Sequence, residues 1–376
     1  MKGMIKMSWI LCLAITGAGL LPATARAQQF IYTNNNNYDT GNTTTALQVA
    51  GAGLTVINTY STGGASAGGG YFAETSVAGA HTASNTCLFV SNGGDSTISA
   101  FTVNTGTGVL TPVTGSPFSA GVSGDQQYGI GLTVGKNKAL FAGNTGFESI
   151  SYLGIQANCS LSAATVINTP GSPDGMKVTP NGKYLIAAYL GSVDAFKIDY
   201  STQSLTETGP FAAEGAAAGV EIACDNATVY FGDATTNIEV EVFRLMSDGQ
   251  MSEVNNFSSN DGVNSNNVLL SSDGKTLYVS STMSNQITSL AAGSGGSLTY
   301  GSTLTLQGAP QYSLGLAAPK SGDNIFISEQ NNPEGIGVVM TKGTSLQEKS
   351  GSPFPVEDNG FDPASLTAVP ERVCPQ

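Results

Sequence analysis

A short strand-like phrase recurs seven times along this chain, and it restricts the possible folds more than any other feature. It reads Phe30-Ile31-Tyr32-Thr33-Asn34, Leu88-Phe89-Val90-Ser91-Asn92, Leu140-Phe141-Ala142-Gly143-Asn144 and Tyr184-Leu185-Ile186-Ala187-Ala188. It continues as Val229-Tyr230-Phe231-Gly232-Asp233, Leu277-Tyr278-Val279-Ser280-Ser281 and Ile325-Phe326-Ile327-Ser328-Glu329. From Ile31 through Leu88, Leu140, Leu185, Val229, Leu277 and Ile325 the steps are 57, 52, 45, 44, 48 and 48 residues. Periods near 40 to 50 residues are those of propeller blades. Turns rich in Gly, Asn and Asp, such as Pro180-Asn181-Gly182-Lys183 and Ser247-Asp248-Gly249-Gln250, punctuate each unit where tight hairpins need positive φ. Four short antiparallel strands per unit, repeated seven times, predict an all-β, seven-bladed β-propeller. The first phrase has no inner strand before it. Ala364-Ser365-Leu366-Thr367-Ala368-Val369-Pro370 resembles the inner strands of other units, so it is expected to close blade one beside Phe30–Asn34 and remove the open edge.

Composition agrees with this and excludes several alternatives. Charged residues make up 11% of the chain and Gly accounts for 48 of 376 positions, against roughly 25% and 7% in ordinary domains. Helical bundles and coiled coils need the opposite bias. Lys2 and Lys6 precede an apolar run from Met7 to Leu21, followed by Ala25-Arg26-Ala27, the pattern of a secretory signal cleaved before Gln28. The expected organisation is therefore a signal peptide at 1–27 and one propeller domain at 28–376, secreted or periplasmic, with no membrane span in the mature chain. All 27 acidic residues follow Ala27, against 11 of the 14 basic ones, giving a formal net charge of −16. Nucleic acid is not an expected partner at that charge. A ring of blades buries itself, so a monomer is expected.

Cys87, Cys159, Cys224 and Cys374 follow the signal, an even set in an oxidising compartment that allows three connectivities. Placing them by predicted blade gives Cys87 with Cys374, locking the closure strand to blade two, and by elimination Cys159 with Cys224.

Several motifs are those of a known family. Tyr32-Thr33-Asn34 and Phe89-Val90-Ser91-Asn92 resemble the Tyr-Val-Thr-Asn repeat, and Gly115-Ser116-Pro117-Phe118 and Gly351-Ser352-Pro353-Phe354 resemble its blade-closing loop. With the Pro-Asn-Gly-Lys turn they make the chain similar to the lactonase-like seven-bladed propellers, which include bacterial 6-phosphogluconolactonase and many secreted proteins of unassigned role. The resemblance implies the architecture, whereas activity depends on the site. Family enzymes open an inner strand with an Arg-His pair. The matching positions here read Tyr128-Gly129, Asp174-Gly175, Ala218-Gly219, Asn266-Asn267, Tyr312-Ser313 and Pro363-Ala364, so the expected clamp for an anionic sugar lactone is missing.

Glu329 partly matches the family's Asn-Glu and, with Asp174, is the candidate for water activation in a lactone hydrolase. Asp125, Asp174 and Asp362 lie among acids predicted to collect on the face where inner strands begin, and oxygen donors of this kind suit Ca²⁺. The opposite face carries lysines at first-to-second-strand turns, Lys183 and Lys275 among them. His81, the single histidine, is expected in a loop after an inner strand at 72–78. Gly64-Ala65-Ser66-Ala67-Gly68 has nucleophile-elbow spacing but neither the strand nor the helix that motif needs. The leading expectation is a binding module that presents Tyr128, Asn266, Asn267, Gln311 and Tyr312 to a carbohydrate, peptide or cell-surface ligand. Lactone hydrolysis is the alternative.

Overall fold

The computed structural model describes residues 28–36, 41–51, 53–66, 76–126, 129–233, 238–258, 265–281, 284–307, 312–319, 324–330, 334–356, 365–370 and 374. The signal-like segment lies outside these residues. The chain is all-β and forms seven four-stranded antiparallel blades in a ring. Each repeated phrase is the second strand of a blade: Phe30–Asn34, Thr86–Asn92, Ala139–Asn144, the first half of Tyr184–Asp199, Thr228–Asp233, Thr276–Ser281 and Asn324–Gln330.

The phrases are apolar throughout because each is covered on both sides. Side chains alternate across a strand, so Leu88 and Val90 pack against blade one with Phe30 and Tyr32, while Phe89 packs against blade three with Leu140 and Leu153. Blade one is composite. Phe30–Asn34 pairs antiparallel with Ser365–Val369, Phe30 opposite Val369 and Asn34 opposite Ser365. Ile31 and Leu366 then pack with Phe326 of blade seven.

Blades four and five depart from the hairpin pattern. Tyr184–Asp199 runs 16 residues through the second and third strands of blade four, turning at Gly191 with φ +77°. Phe211–Ile222 extends the outer edge of blade four and then becomes the inner strand of blade five. Gly175, at the start of blade four's inner strand, lies so close to this segment that a Cβ would sit 1.7 Å from the Ala218 carbonyl oxygen.

Two expectations are corrected. The bonded pairs are Cys87 with Cys159 and Cys224 with Cys374, at Cα separations of 5.5 and 5.4 Å, rather than Cys87 with Cys374 and Cys159 with Cys224. Cys87 lies within the second strand of blade two, and its side chain enters the interface with blade three, where the Cys159 turn folds over it. His81 is the last residue of the inner strand Val77–His81, paired with Thr86 and exposed, rather than in a loop beyond it. Its Nδ1 stands 3.1 Å from Thr86 Oγ1.

Peptide mapping without reduction should return one cross-linked pair holding Cys87 and Cys159 and another holding Cys224 and Cys374. Gly175→Ala should destabilise the ring by about 1–3 kcal/mol in a denaturant titration, because its neighbour is backbone and cannot rotate away.

Candidate functional site

The seven inner strands enclose a cavity of about 470 Å³ on the propeller axis, to which every one of them contributes wall residues. Core residues such as Leu132, Met176, Val268 and Leu316 border it, and polar side chains such as Thr133, Asn267 and Thr367 share the wall. Two charged side chains interrupt it. Lys177 Nζ stands 3.7 Å from Glu221 Oε2, with side-chain exposures of 44% and 5%. The carboxylate is also held by its own strand, since Oε1 accepts the Ile222 amide at 2.9 Å. Gly175 makes this pair possible by bringing the inner strands of blades four and five into backbone contact two residues before Lys177. Nearby, Asn267 is nearly buried and its Oδ1 accepts the Val268 amide at 2.9 Å. Thr133 adds a hydroxyl. A pocket in which a few polar groups converge among apolar ones is the usual make-up of a small-molecule site.

The cavity has direction. At the inner-strand starts, Ser76, Ser265, Ser365 and Ala218 are buried. At the other end its lining reaches Pro180, Asn181, Asn226, Cys224 and Cys374, so it extends toward the face of the first-to-second-strand turns, which carries the lysines.

Beneath the opposite face, the ends of the second strands bear a repeated polar motif. In blade two, Asn92 Nδ2 donates to Thr97 Oγ1 at 3.0 Å and Ser99 Oγ at 2.8 Å. Blade three repeats this with Asn144, Ser149 and Ser151, and blade one with Asn35, Thr43 and Thr45. Blade six ends its second strand in Ser281, and blades four, five and seven carry acids in or beside the corresponding positions. Blade five has Asp233, Glu239 and Glu241, all buried. Blade four has Tyr189 with Asp194, and blade seven has Glu329 lying over Gly337, where a Cβ would be 2.1 Å from Oε1. Both Glu329 oxygens are buried without a hydrogen-bond partner among the described residues. Burial, followed by the nearby Glu348 carboxylate, pushes its pKa up to about 8. Burial and then Glu207 raise Asp194 to about 7, and burial alone raises Asp174 to about 7. Glu241 is also raised, first by burial, although the Glu214 amide at 3.1 Å opposes this.

The sequence-predicted residues are dispersed over this architecture. Asn267 lines the axial cavity. Asn266 and Tyr312 lie on the inner strands of blades six and seven, while Tyr128 and Gln311 fall outside the described residues. Asp174 is partly exposed at the start of an inner strand, whereas Glu329 is sealed beneath the surface three blades away. Asp125 is exposed and Asp362 lies outside the described residues. Among the described residues no three His, Cys, Asp or Glu side chains group as a metal site. Sequence reasoning missed Lys177 and Glu221. Their only signal was a charge at mid-strand in two adjacent inner strands.

A family model for the seven-bladed β-propeller lactonases matches residues 79–222 and 190–311. The chain belongs to that family. Its fold is similar to that of a provisionally assigned 6-phosphogluconolactonase from Bacteroides fragilis, with a TM-score of 0.72 and 18% identity over 92% of this chain and 99% of that one. It is also similar to the periplasmic gluconolactonase of Pseudomonas aeruginosa, at 0.66 and 16% over 90% and 99%. The virginiamycin B lyase of Staphylococcus aureus shares the architecture at 0.55 and 13%, over 77% and 88%. No curated protein matches the sequence.

A carboxyl whose folded pKa exceeds its unfolded value keeps its proton in the folded state, so stability is greatest in acid. It is lost as pH rises from the unfolded value toward the folded one. For Glu329 that window runs from 4.5 to about 8. The melting temperature should therefore fall between pH 5 and 8, and Glu329→Gln, which cannot ionise, should flatten the fall when melting is followed by circular dichroism.

Proposed function

We propose that this protein works outside the cytoplasm as a binding propeller, and that its ligand is a small hydroxylated organic anion held in the axial cavity. The observation that carries this reading is the Lys177–Glu221 pair. Among the described lining residues one ammonium is half-exposed to water, while its carboxylate partner is buried and anchored to its own backbone. A ligand carboxylate can approach Lys177 from the open side, where charge-assisted hydrogen bonds are strong. The Asn267 side-chain amide and the Thr133 hydroxyl suit ligand oxygens, and the buried Glu221 can accept from a ligand hydroxyl. A cavity of about 470 Å³ is in the range that small-molecule ligands occupy, roughly 300–1,000 Å³. The location is supported by the signal-like residues 1–27, the two disulfides and the similarity to a periplasmic protein. Among the described residues no helix is long and apolar enough to cross a membrane.

Lactone hydrolysis is the second reading, favoured by family membership and by Asp174. That carboxyl is partly exposed and burial raises its pKa to about 7, where a general base for water works well near neutral pH. The missing Arg-His pair weighs against a phosphorylated substrate.

Calorimetric titration with a panel of sugar acids, matched neutral sugars and lactones, with and without Ca²⁺, separates these readings. Saturable binding of acids but not of neutral sugars, weakened about tenfold or more by Lys177→Ala, is the expected outcome. Lactone turnover that disappears in Asp174→Asn and survives in Lys177→Ala would replace it with the hydrolase.

A further inference from the structure

The two faces of the propeller differ in charge. The face where inner strands begin, which also carries the second-to-third-strand turns, exposes Asp95, Asp125, Glu148, Glu214 and Glu334. Every lysine and arginine among the described residues lies elsewhere. Lys177 is in the cavity, Lys349 donates to the Gly51 carbonyl oxygen at 2.7 Å, and the others stand at or near the turns of the opposite face, where Asp225, Asp248 and Asp273 offset them. Within the acidic face, blades three and four display apolar side chains. Leu190, at the tip of the blade four hairpin beside Gly191, is 77% exposed, more than any other large apolar side chain among the described residues. Phe147, on the matching turn of blade three, is 38% exposed. The two tips belong to one surface. A Cβ on Gly124 would stand 3.3 Å from the Phe147 ring, which puts Asp125 beside it. Ser172 Oγ donates to the Thr145 carbonyl oxygen at 2.7 Å, tying the segment that enters blade four to the Phe147 turn. In the same segment the Asp174 amide donates to the Ala188 carbonyl oxygen at 3.0 Å, two residues before Leu190. Leu190 itself pairs with Ala216, two residues after Glu214. Glu148 follows Phe147 with φ 45° and ψ 52°, a left-handed conformation in which Gly or Asn costs less. The turn therefore does not call for a carboxylate, and the hairpin tip does not call for a leucine.

We propose that this surface docks a basic polypeptide segment of a partner protein, with cationic side chains on Asp125, Glu148 and Glu214 and an apolar side chain lying across Leu190 and Phe147. Charge complementarity selects the partner and steers its approach. A hydrated acidic face gains nothing from an exposed leucine, whereas an interface gains by burying one among its charges. The axial cavity extends toward the opposite face, so the partner and a small ligand can be bound together.

Calorimetry on the full chain, with both disulfides formed, tests this with two synthetic peptides, one alternating lysine with leucine and the other lysine with serine. The lysine–leucine peptide should bind one to one, about tenfold tighter than the lysine–serine peptide, and should weaken as ionic strength rises past about 0.1 M. Phe147→Ser/Leu190→Ser should erase the difference between the peptides. Glu148→Gln/Glu214→Gln should weaken both about tenfold. Asp248→Asn on the opposite face and Lys177→Ala in the cavity should change neither. Equal affinities in the wild type and both double variants, or an equal loss in Asp248→Asn, would overturn the proposal. So would a failure of the lysine–leucine peptide to bind, or binding of spermine as tight as that of the peptide, which would mark a site for small polycations instead. Should Phe147→Ser disturb cooperative melting, Leu190→Ser alone decides, since that side chain is 77% exposed.

Discussion

Packing of each second strand between two neighbouring blades is the interaction on which the rest of this structure depends. A strand can be apolar on both faces only if both are covered, and in a closed ring every blade provides a cover for the next. The alternation of Leu88, Phe89 and Val90 between the interfaces toward blades one and three shows this at residue level. The same requirement makes closure of the ring consequential. Ile31 and Leu366 would face water unless blade seven met them, and the pairing of Phe30–Asn34 with Ser365–Val369 makes one blade from the two ends of the propeller. Because each interface covers its neighbours, the inner strands are held around the axis with little freedom, and the cavity they enclose follows from that arrangement.

Polar groups at the ends of the second strands work under the same constraint. They are buried by the blade packing and must find partners or stay neutral. Blades one to three use an Asn amide on two hydroxyls. Blade seven places a glutamate over a glycine and raises its pKa. Blade five packs three acids into the corresponding place. A buried carboxylate with a raised pKa is often taken as a sign of catalysis. Burial of a repeat position that carries an ionisable side chain, as at Glu329, raises a pKa in the same way.

Lys177 and Glu221 differ from these groups in being open to the cavity. Their pairing goes with the close approach of two inner strands at Gly175 and Ala218, and Glu221 is anchored to its own backbone while the ammonium is the more exposed partner. The family relationship supplies the scaffold. On that scaffold, the Lys177–Glu221 pair is what charges the axis of this chain among the described residues.

The architecture was legible in the sequence because a repeat writes its fold seven times over. The spacing of the phrases, the turn residues between them and the apolar run on both faces of each phrase gave the blade number and the strand that each phrase forms. Two proximities between cysteines could not be read that way. Cys87 meets Cys159, and Cys374 meets Cys224 across the ring, because side-chain direction and blade contact set which sulfurs meet, whereas spacing sets only which are available. Likewise, the acids that the sequence gathers on one face divide, in space, into exposed ones such as Asp125 and sealed ones such as Glu329. The sequence by itself determined the blade number and the second strand of each blade, since local periodicity and turn chemistry act over a few residues. Tertiary structure alone decided which polar groups share the axis, because that depends on contacts between strands some 44 residues apart, as Lys177 and Glu221 are.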